Sequence, residues 1–290
     1  MLCMSLLLNW IPCAILGILI FNYPNGLIYS ALLIIASGLF AVSPFKERIG
    51  CKVLGCRPAT MAERQKLKGA WDSVVSALGQ ALDRRAMARF ARVNLFVSDD
   101  KLPSAFAIGR NTVCVTKGLL NFASPGDIGG VLAHEAGHLH FGDAERLAVV
   151  LTAYRLGIAS YRTLDTGLRI IEGFSRSLIQ PGRQFAGSGG VVLAIIGLIA
   201  CLVTCAINVA MRVLSFVFQI VIEMSLSAAG RKEEFRADLF ARNIGFGQQL
   251  ARFLRQIEAL DAAPKDIRSV LYRPHPPTAE RIDRLIQDVS

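Results

Sequence analysis

The chain has 290 residues, 53% of them hydrophobic, and a formal net charge of +10. This length allows one large domain or two ordinary ones, and the hydrophobic content exceeds that of a typical soluble domain. A basic chain can bind nucleic acid or an anionic membrane surface. Because the sequence has long apolar runs and no nucleic-acid-binding motif, we expect a lipid bilayer, and not nucleic acid, as a partner.

The first 45 residues contain no charged side chain. The apolar runs at 5–22 and 27–43 are each just long enough to cross a bilayer as a helix, and turn residues between them predict a helical hairpin. Four basic residues follow: Lys46, Arg48, Lys52 and Arg57. Cytoplasmic loops carry an excess of Lys and Arg, so we expect the N-terminus and the chain from 46 onward to face the cytoplasm.

A small sheet and a capped helix are predicted next. Residues 60–92 have the periodicity of an amphipathic helix, and β-rich runs follow at 93–97, 105–108 and 112–116. Ser124-Pro125-Gly126-Asp127 is typical of a helix start, with Ser124 as the N-cap. That helix carries His134-Glu135-Ala136-Gly137-His138. Two glycines early in it, Gly129 and Gly130, indicate close packing.

The two histidines of this helix are four residues apart, so both project from one face. Such a pair can bind one Zn²⁺, with Glu135 beside the metal-bound water as general base. A catalytic zinc needs a third protein ligand, and Glu233, Glu234 and Asp238 are the downstream candidates. Glu234 and Asp238 share a helical face, so one can bind the metal while the other orients a ligand histidine. Spacing alone does not choose between Glu233 and Glu234.

Residues 144–188 are predicted to form a basic amphipathic helical insertion. Arginines recur every seven residues from Arg155 to Arg183, with Asp165 and Glu172 placed to pair with the arginines four residues later. The pattern fits a helix lying along an anionic membrane surface. It fits equally well a solvated face on a helix packed against the core.

The apolar run at 189–228 must be compatible with the metal site. Because His138 and Glu234 meet at one ion, the chain between them crosses the membrane an even number of times. We favour two spans with a turn near Asn208 and Arg212, which gives four spans in the chain. The alternative is a single long helix that enters the membrane without crossing it.

Five segments occur in the order found in one known family: Pro103-Ser104-Ala105-Phe106-Ala107-x-Gly109, Val115-Thr116-x-Gly118-Leu119-Leu120, Ala133-His134-Glu135-x-Gly137-His138, Glu234-Phe235-x-Ala237-Asp238 and His275-Pro276-Pro277-x-x-Glu280-Arg281-Ile282. With these segments the chain resembles the HtpX-type and CAAX-prenyl-endopeptidase family of membrane zinc metalloproteases. Arg231 and Asp143 also fall at positions of resemblance, and we interpret them as supporting residues. Ser104 stands where the family usually has Asn.

The resemblance implies a mainly α, membrane-embedded fold with a zincin-type α+β core, in which a small sheet with an edge strand accompanies the His-Glu-x-x-His helix. It implies that Glu234 is the third ligand of one Zn²⁺ per chain and that Asp238 orients a ligand. His275 would stabilise the oxyanion beside the catalytic Glu135. Ala105, Phe106 and Ala107 would form the edge strand that pairs with an extended substrate.

We therefore expect a multi-pass zinc endopeptidase of the bacterial inner membrane or an equivalent membrane, with its active site facing the cytoplasm. Its substrates would be membrane or membrane-proximal proteins, in quality control or processing. The alternative is a non-catalytic, zinc-stabilised scaffold or chaperone-like protein, although a closed structural site has no use for Glu135. The predicted segments are the hairpin at 1–45, the two halves of the catalytic domain at 46–143 and 229–290, the insertion at 144–188 and membrane helices at 189–228.

Overall fold

The computed structural model of the protein describes residues 2–184, 188–260 and 278–286. Its helices are α1 (Leu2–Phe21), α2 (Asn25–Ala41), α3 (Pro44–Val53), α4 (Met61–Ala81), α5 (Arg84–Phe90), α6 (Lys117–Phe122), α7 (Pro125–Phe141), α8 (Asp143–Gln184), α9 (Ser188–Asn243), α10 (Gly247–Leu260) and α11 (Thr278–Ile286). Its strands are β1 (Cys56–Pro58), β2 (Asn94–Ser98), β3 (Ala105–Ile108) and β4 (Thr112–Thr116). The chain divides into two compact units, Met1–Gly38 with Val150–Ser225, and Leu39–Val149 with Leu226–Ser290. The predicted class, mainly α with a small sheet, is confirmed.

The first unit begins with the predicted apolar hairpin, formed by α1 and α2. A Cβ added to Gly26 would lie 2.3 Å from the backbone of Gly17, so only glycine permits this approach of the two helices. Trp10 Nε1 donates a hydrogen bond to Ser30 Oγ at 2.9 Å across the pair. Small residues at a close helix crossing, together with an interhelical hydrogen bond, are typical of helices that pack in lipid.

The apolar run after residue 188 forms one continuous helix, α9, of 56 residues. The turn predicted near Asn208 and Arg212 is therefore wrong, and the single long helix of the alternative is observed. That this helix enters the membrane without crossing it stays a prediction. Residues 198–229 contain neither Pro nor Gly, so no backbone feature ends the helix there. Among the described residues, α9 is the one helix long and apolar enough to cross a membrane unaided, and α2 with α3 makes a second candidate.

The predicted basic helix is α8, which continues past Pro181 to Gln184. Its exposed side carries the expected ion pairs, with Arg169 Nε 2.8 Å from Asp165 Oδ2 and Arg176 Nη2 2.5 Å from Glu172 Oε1. Its buried positions recur at helical spacing: Val150, Ala153, Ser160, Leu164 and Ser175. The helix therefore packs by one face and presents arginines on another, and its contact with a membrane surface stays a prediction.

The second unit contains the four-stranded sheet, in the order β1-β2-β4-β3. β2, β3 and β4 lie within one residue of the three predicted runs. β1 was not predicted, because it has three residues, includes Pro58 and shows no alternation. It pairs antiparallel with β2, whereas β2 and β4 are parallel and β3 pairs antiparallel with β4. This order leaves β3 at an edge of the sheet.

Helix α7, which carries His134 and His138, is the centre of the second unit. It packs against α4, α10 and β3. Ser124 caps it by accepting a hydrogen bond from Asp127 N at 3.3 Å, as the sequence predicts. α4 and α5 occupy the predicted 60–92 helix, with a break at 82–83 where Asp83 caps α5.

Gly129 and Gly130 let α10 approach α7. A Cβ on Gly130 would lie 2.6 Å from Leu250 N, and one on Gly129 would lie 2.9 Å from the Phe246 ring. Gly in a helix interior costs about 1 kcal/mol relative to Ala. At Gly130 a larger residue fits only if the backbone of α10 moves away, and at Gly129 only if the Phe246 ring shifts, so close packing is the physical reason for both glycines.

Candidate active site

Three side chains from two helices converge beside the sheet. His134 and His138 project from α7, and Glu234 projects from α9. The two Nε2 atoms lie 3.2 Å apart, and Glu234 Oε2 and Oε1 lie 3.4 Å and 3.6 Å from Nε2 of His134 and His138, respectively. This group is a candidate metal site in the described part of the chain.

Two further carboxylates set the ring orientation of the histidines. Asp238 Oδ1 lies 2.9 Å from His134 Nδ1, and Asp143 Oδ2 lies 3.0 Å from His138 Nδ1. An ionised carboxylate can only accept, so each Nδ1 is the protonated nitrogen. The lone pairs of both neutral rings then sit on Nε2 and point at the same place, which favours a cation between them.

The two Nε2 atoms and the two Glu234 carboxylate oxygens have separations close to those of a zinc site. In a tetrahedral site with zinc–ligand distances of about 2.0–2.1 Å, neighbouring ligand atoms lie about 3.3–3.4 Å apart. The observed separations of 3.2, 3.4 and 3.6 Å agree with this value. Two imidazoles and one carboxylate also leave a fourth position for water, as in catalytic sites. The residues present therefore fit a zinc ion.

The acids around the site also change the proton affinity of its ligands. Burial acts to lower the pKa of His138, but hydrogen bonds to Asp143 and Glu234 outweigh it and raise the pKa to about 10. For His134, burial is likewise outweighed, by Asp238 and Glu234, and the pKa rises. A metal ion must compete with these protons, so its affinity falls as the pH falls.

A buried arginine links the two acids of α9, although no local sequence pattern indicated this role. Arg281, on α11, is 7% exposed. Its Nε and Nη2 donate hydrogen bonds to the Oδ2 and Oδ1 atoms of Asp238 at 2.8 Å each, and its Nη1 lies 3.2 Å from Glu234 Oε2. Although burial raises the pKa of Asp238, Arg281 and His134 outweigh it and hold that pKa below its usual value.

Asp143 has a larger part in the site than the sequence indicated. It is 4% exposed, and its carboxylate contacts Arg146 and Arg236 as well as His138. The carboxylate therefore joins the ring of His138 to two guanidinium groups. Arg231, the other supporting residue, donates to Ser227 Oγ at 2.9 Å and has no described contact with the ligands.

Glu135 lies between the metal ligands and the edge strand. It is 6% exposed, and its carboxylate accepts a hydrogen bond from Ala107 N–H. Burial raises the pKa of this carboxyl group. Ser104 O accepts from Thr116 N at 2.9 Å, toward β4. Backbone groups alternate in direction along a strand, so those of Ala105 and Ala107 point to the free edge.

The remaining predicted residues are placed as follows. Glu234, not Glu233, faces the histidines, since Glu233 Oε1 lies 3.6 Å from Arg146. His140 stacks between Phe90 and Phe240, with ring centroids 6.4 Å and 5.0 Å away. It is therefore packed among aromatic rings. His275 lies outside the described residues.

The chain was compared with known proteins. The model of the family described as Peptidase family M48 matches residues 70–288. A protease HtpX homolog from Thermoanaerobacter pseudethanolicus is 25% identical over 90% of this chain and 84% of its own length. Another, from Listeria monocytogenes, is 27% identical over 94% of this chain and 90% of its own.

A solved structure shares the fold. The crystal structure of S. mikatae Ste24p superimposes with a TM-score of 0.55 at 19% identity, covering 95% of this chain. The chain spans 62% of the length of that protein. At this identity the similarity concerns the fold alone.

Proposed function

The chain belongs to peptidase family M48, and on that premise we propose that it is an integral-membrane, zinc-dependent endopeptidase. Its substrates would be membrane or membrane-proximal proteins, cleaved in quality control or processing. One observation carries the proposal. Glu135, a buried carboxylate, lies between the metal ligands and the free edge of β3, where a general base and an extended substrate are both needed.

We propose that His134, His138 and Glu234 hold one Zn²⁺ per chain. When bound, zinc polarises a peptide carbonyl and lowers the pKa of a coordinated water. Asp238 and Asp143 keep each Nδ1 protonated, so that each Nε2 is available as a ligand. Glu135 takes the proton of the attacking water and passes it to the leaving amine.

The substrate would bind along β3. Ala105 directs its backbone groups, and Ala107 its carbonyl, to the free edge, where an extended peptide can add as a further strand. The N–H of Ala107 is bound by Glu135. Phe106, between them, uses its own backbone to pair with Cys114 of β4. Strand addition selects extended backbone over small molecules, which favours a protein substrate. His275 is proposed to stabilise the oxyanion, on the family resemblance alone.

The location follows from the apolar helices and from the charges next to them. α1, α2 and the apolar part of α9 would lie in the bilayer. The basic residues that start at Lys46 would face the cytoplasm, together with the active site. The HtpX homologs resemble the chain over nearly its whole length, which supports a similar location in the bacterial inner membrane or an equivalent membrane.

Replacing Glu135 by Gln separates an enzyme from a scaffold. The amide keeps the shape of the side chain and cannot accept the water's proton, so we expect cleavage to fall about 10²–10⁴-fold. Zinc content, measured on the purified protein by mass spectrometry, should stay at one ion per chain. Glu233→Gln is the matched control, because Glu233 faces Arg146, and its rate should stay close to that of the parent.

The substrates can be identified in cells that express the native protein or the Glu135→Gln variant. Membrane proteins that accumulate only with the variant are the candidates for cleavage. An unchanged membrane proteome, or a variant that cuts at the parental rate, would contradict the proposed enzyme and favour the zinc-stabilised scaffold.

A further inference from the structure

α3 presents a strip of exposed apolar side chains on the second unit. Phe45, Ile49 and Val53 are 62%, 36% and 78% exposed. Residues four apart lie on one face of a helix, so the three side chains form a continuous row. Exposed apolar residues scattered singly need no explanation, whereas a row along one helix marks an interaction surface.

The opposite face of α3 is fixed to the β3–β4 hairpin. Glu47 Oε1 accepts a hydrogen bond from Asn111 N at 3.4 Å. A Cβ on Gly50 would lie 3.3 Å from Ile108 Cγ2, so helix and strand touch at this point. α3 therefore cannot turn its apolar strip inward without releasing the hairpin that contains the edge strand.

Basic residues flank the strip on both sides. At 100° per residue, Lys46 falls beyond one margin of the strip, and Arg48 and Lys52 fall beyond the other. The side chains of Lys and Arg can extend so that their charged ends reach a polar layer while their stems cover apolar surface. An apolar strip between two basic margins is the arrangement of helices that lie in the headgroup layer of an anionic membrane.

The position of α3 in the chain favours lipid over a protein partner. α3 begins three residues after the end of α2, which is part of the apolar hairpin assigned above to the bilayer. A helix that close to a membrane span remains within reach of the headgroups. The charge also matches, since anionic lipids attract Lys and Arg side chains that lie close to the membrane surface.

We propose that the strip of Phe45, Ile49 and Val53 binds the anionic surface of the bilayer and, through its contacts with β3, holds the substrate edge strand beside that surface. This inference rests on the proposed function and specifies its substrate class. The site takes extended segments that lie close to a membrane anchor, in preference to segments farther along a soluble domain.

Binding to lipid is tested by fluorescence quenching in vesicles of brominated phosphatidylcholine and phosphatidylglycerol. The full chain is reconstituted as Ile49→Trp or as Ile286→Trp, a matched change at an exposed isoleucine of α11. Trp10 and Trp71 contribute equally to both. We expect brominated lipid to quench the additional tryptophan at 49 and not at 286, and the quenching to decrease without phosphatidylglycerol. Equal quenching of the two variants would overturn the proposal and leave the strip as a protein-binding surface.

The effect on substrate choice is tested with one cleavable sequence attached to the same membrane anchor by a short or a long flexible tether. Tethers of about 10 and 60 residues reach roughly 17 Å and 43 Å on average. The parent should cleave the short form faster. The advantage of the short form should be about tenfold, because the shorter tether gives a higher effective concentration at the site. The double variant Phe45→Ser with Ile49→Ser should remove most of this advantage and leave the cleavage rate of the long form unchanged. Ile286→Ser is the matched control.

The two possible failures are distinguishable. If the parent cleaves both forms equally and Glu135→Gln abolishes the cleavage of both, the proposed peptidase activity holds and the proposed role of α3 is wrong. If the parent and Glu135→Gln do not differ on either form, the proposed function itself fails.

Discussion

Replacing Asp238 by Asn removes the carboxylate that joins a zinc ligand to a buried arginine. Asp238 is 2% exposed, and it accepts two hydrogen bonds from Arg281 while facing His134 Nδ1. An asparagine offers one acceptor oxygen and turns an NH₂ group toward a donor. It therefore cannot satisfy both neighbours, and either the guanidinium or the imidazole loses its partner.

Asp238→Asn should lower both the free energy of unfolding and the affinity for the metal. Breaking a buried ion pair by removing one partner costs about 3–5 kcal/mol. Arg281 keeps its contact with Glu234 at 3.2 Å, so we expect the lower end, about 3 kcal/mol, in the free energy of unfolding. Loss of the group that orients a ligand histidine lowers metal affinity about 10–100-fold, which corresponds to about 1.4–2.7 kcal/mol.

Zinc affinity is measured by competition with a chelator, and stability by denaturant unfolding in detergent. Asp165→Asn is the matched control, since Asp165 pairs with two exposed arginines, Arg169 at 2.8 Å and Arg212 at 4.0 Å, and should contribute less than about 1 kcal/mol. If Asp238→Asn fails to fold, Arg281→Lys keeps the charge, removes the parallel hydrogen bonds and serves for the same measurements. Zinc affinity within twofold of the parent in a folded variant would refute this account of the site.

Two further changes test the packing and the electrostatics of the second unit. Gly137→Ala would place a Cβ 3.0 Å from Ala237 Cα; we expect a loss of about 1–2 kcal/mol in unfolding free energy and weaker zinc binding. Gly69→Ala, with nothing within 4 Å, should instead gain up to about 1 kcal/mol, and equal gains would contradict the packing argument. Hydrogen bonding to Arg57 lowers the pKa of Glu63 from 4.5 to about 2, so its stabilisation is present above pH 4.5 and lost toward pH 2. The melting-temperature difference between the parent and Glu63→Gln should therefore shrink as the pH falls from 4.5 to 2. A difference that does not change with pH would show that the Arg57–Glu63 ion pair is not its cause.

Features that depend on local chemistry could be predicted from the sequence. The start of α7 follows from Ser124 and Pro125, whose capping and φ preferences act within one turn. The pairing of His134 with His138 follows from helical periodicity alone. β3 and β4 were predictable because each is a run of strand-forming residues bounded by turn residues.

Features that depend on distant partners could not be predicted in this way. Helical spacing shows that Glu234 and Asp238 share a face, but the side of α9 that meets α7 is decided by tertiary packing. Arg281 lies 43 residues beyond Asp238, and no local pattern connects the two. β1 exists only because β2 supplies its hydrogen bonds. The turn near Asn208 was predicted from the length of the apolar run. The helix continues there because residues 198–229 contain neither Pro nor Gly to end it.

The close contacts between helices explain how the three candidate ligands are held at one place. Gly130 fixes α7 against α10, and Gly137 fixes it against Ala237 of α9, one turn from Glu234. Backbone contacts at this distance cannot slide without a clash, so they set the separation of His138 and Glu234. Arg281 then holds Glu234 and Asp238 from a third helix. Because packed helices position the ligands, substitutions at these contacts should affect metal affinity although none of the substituted residues is a ligand.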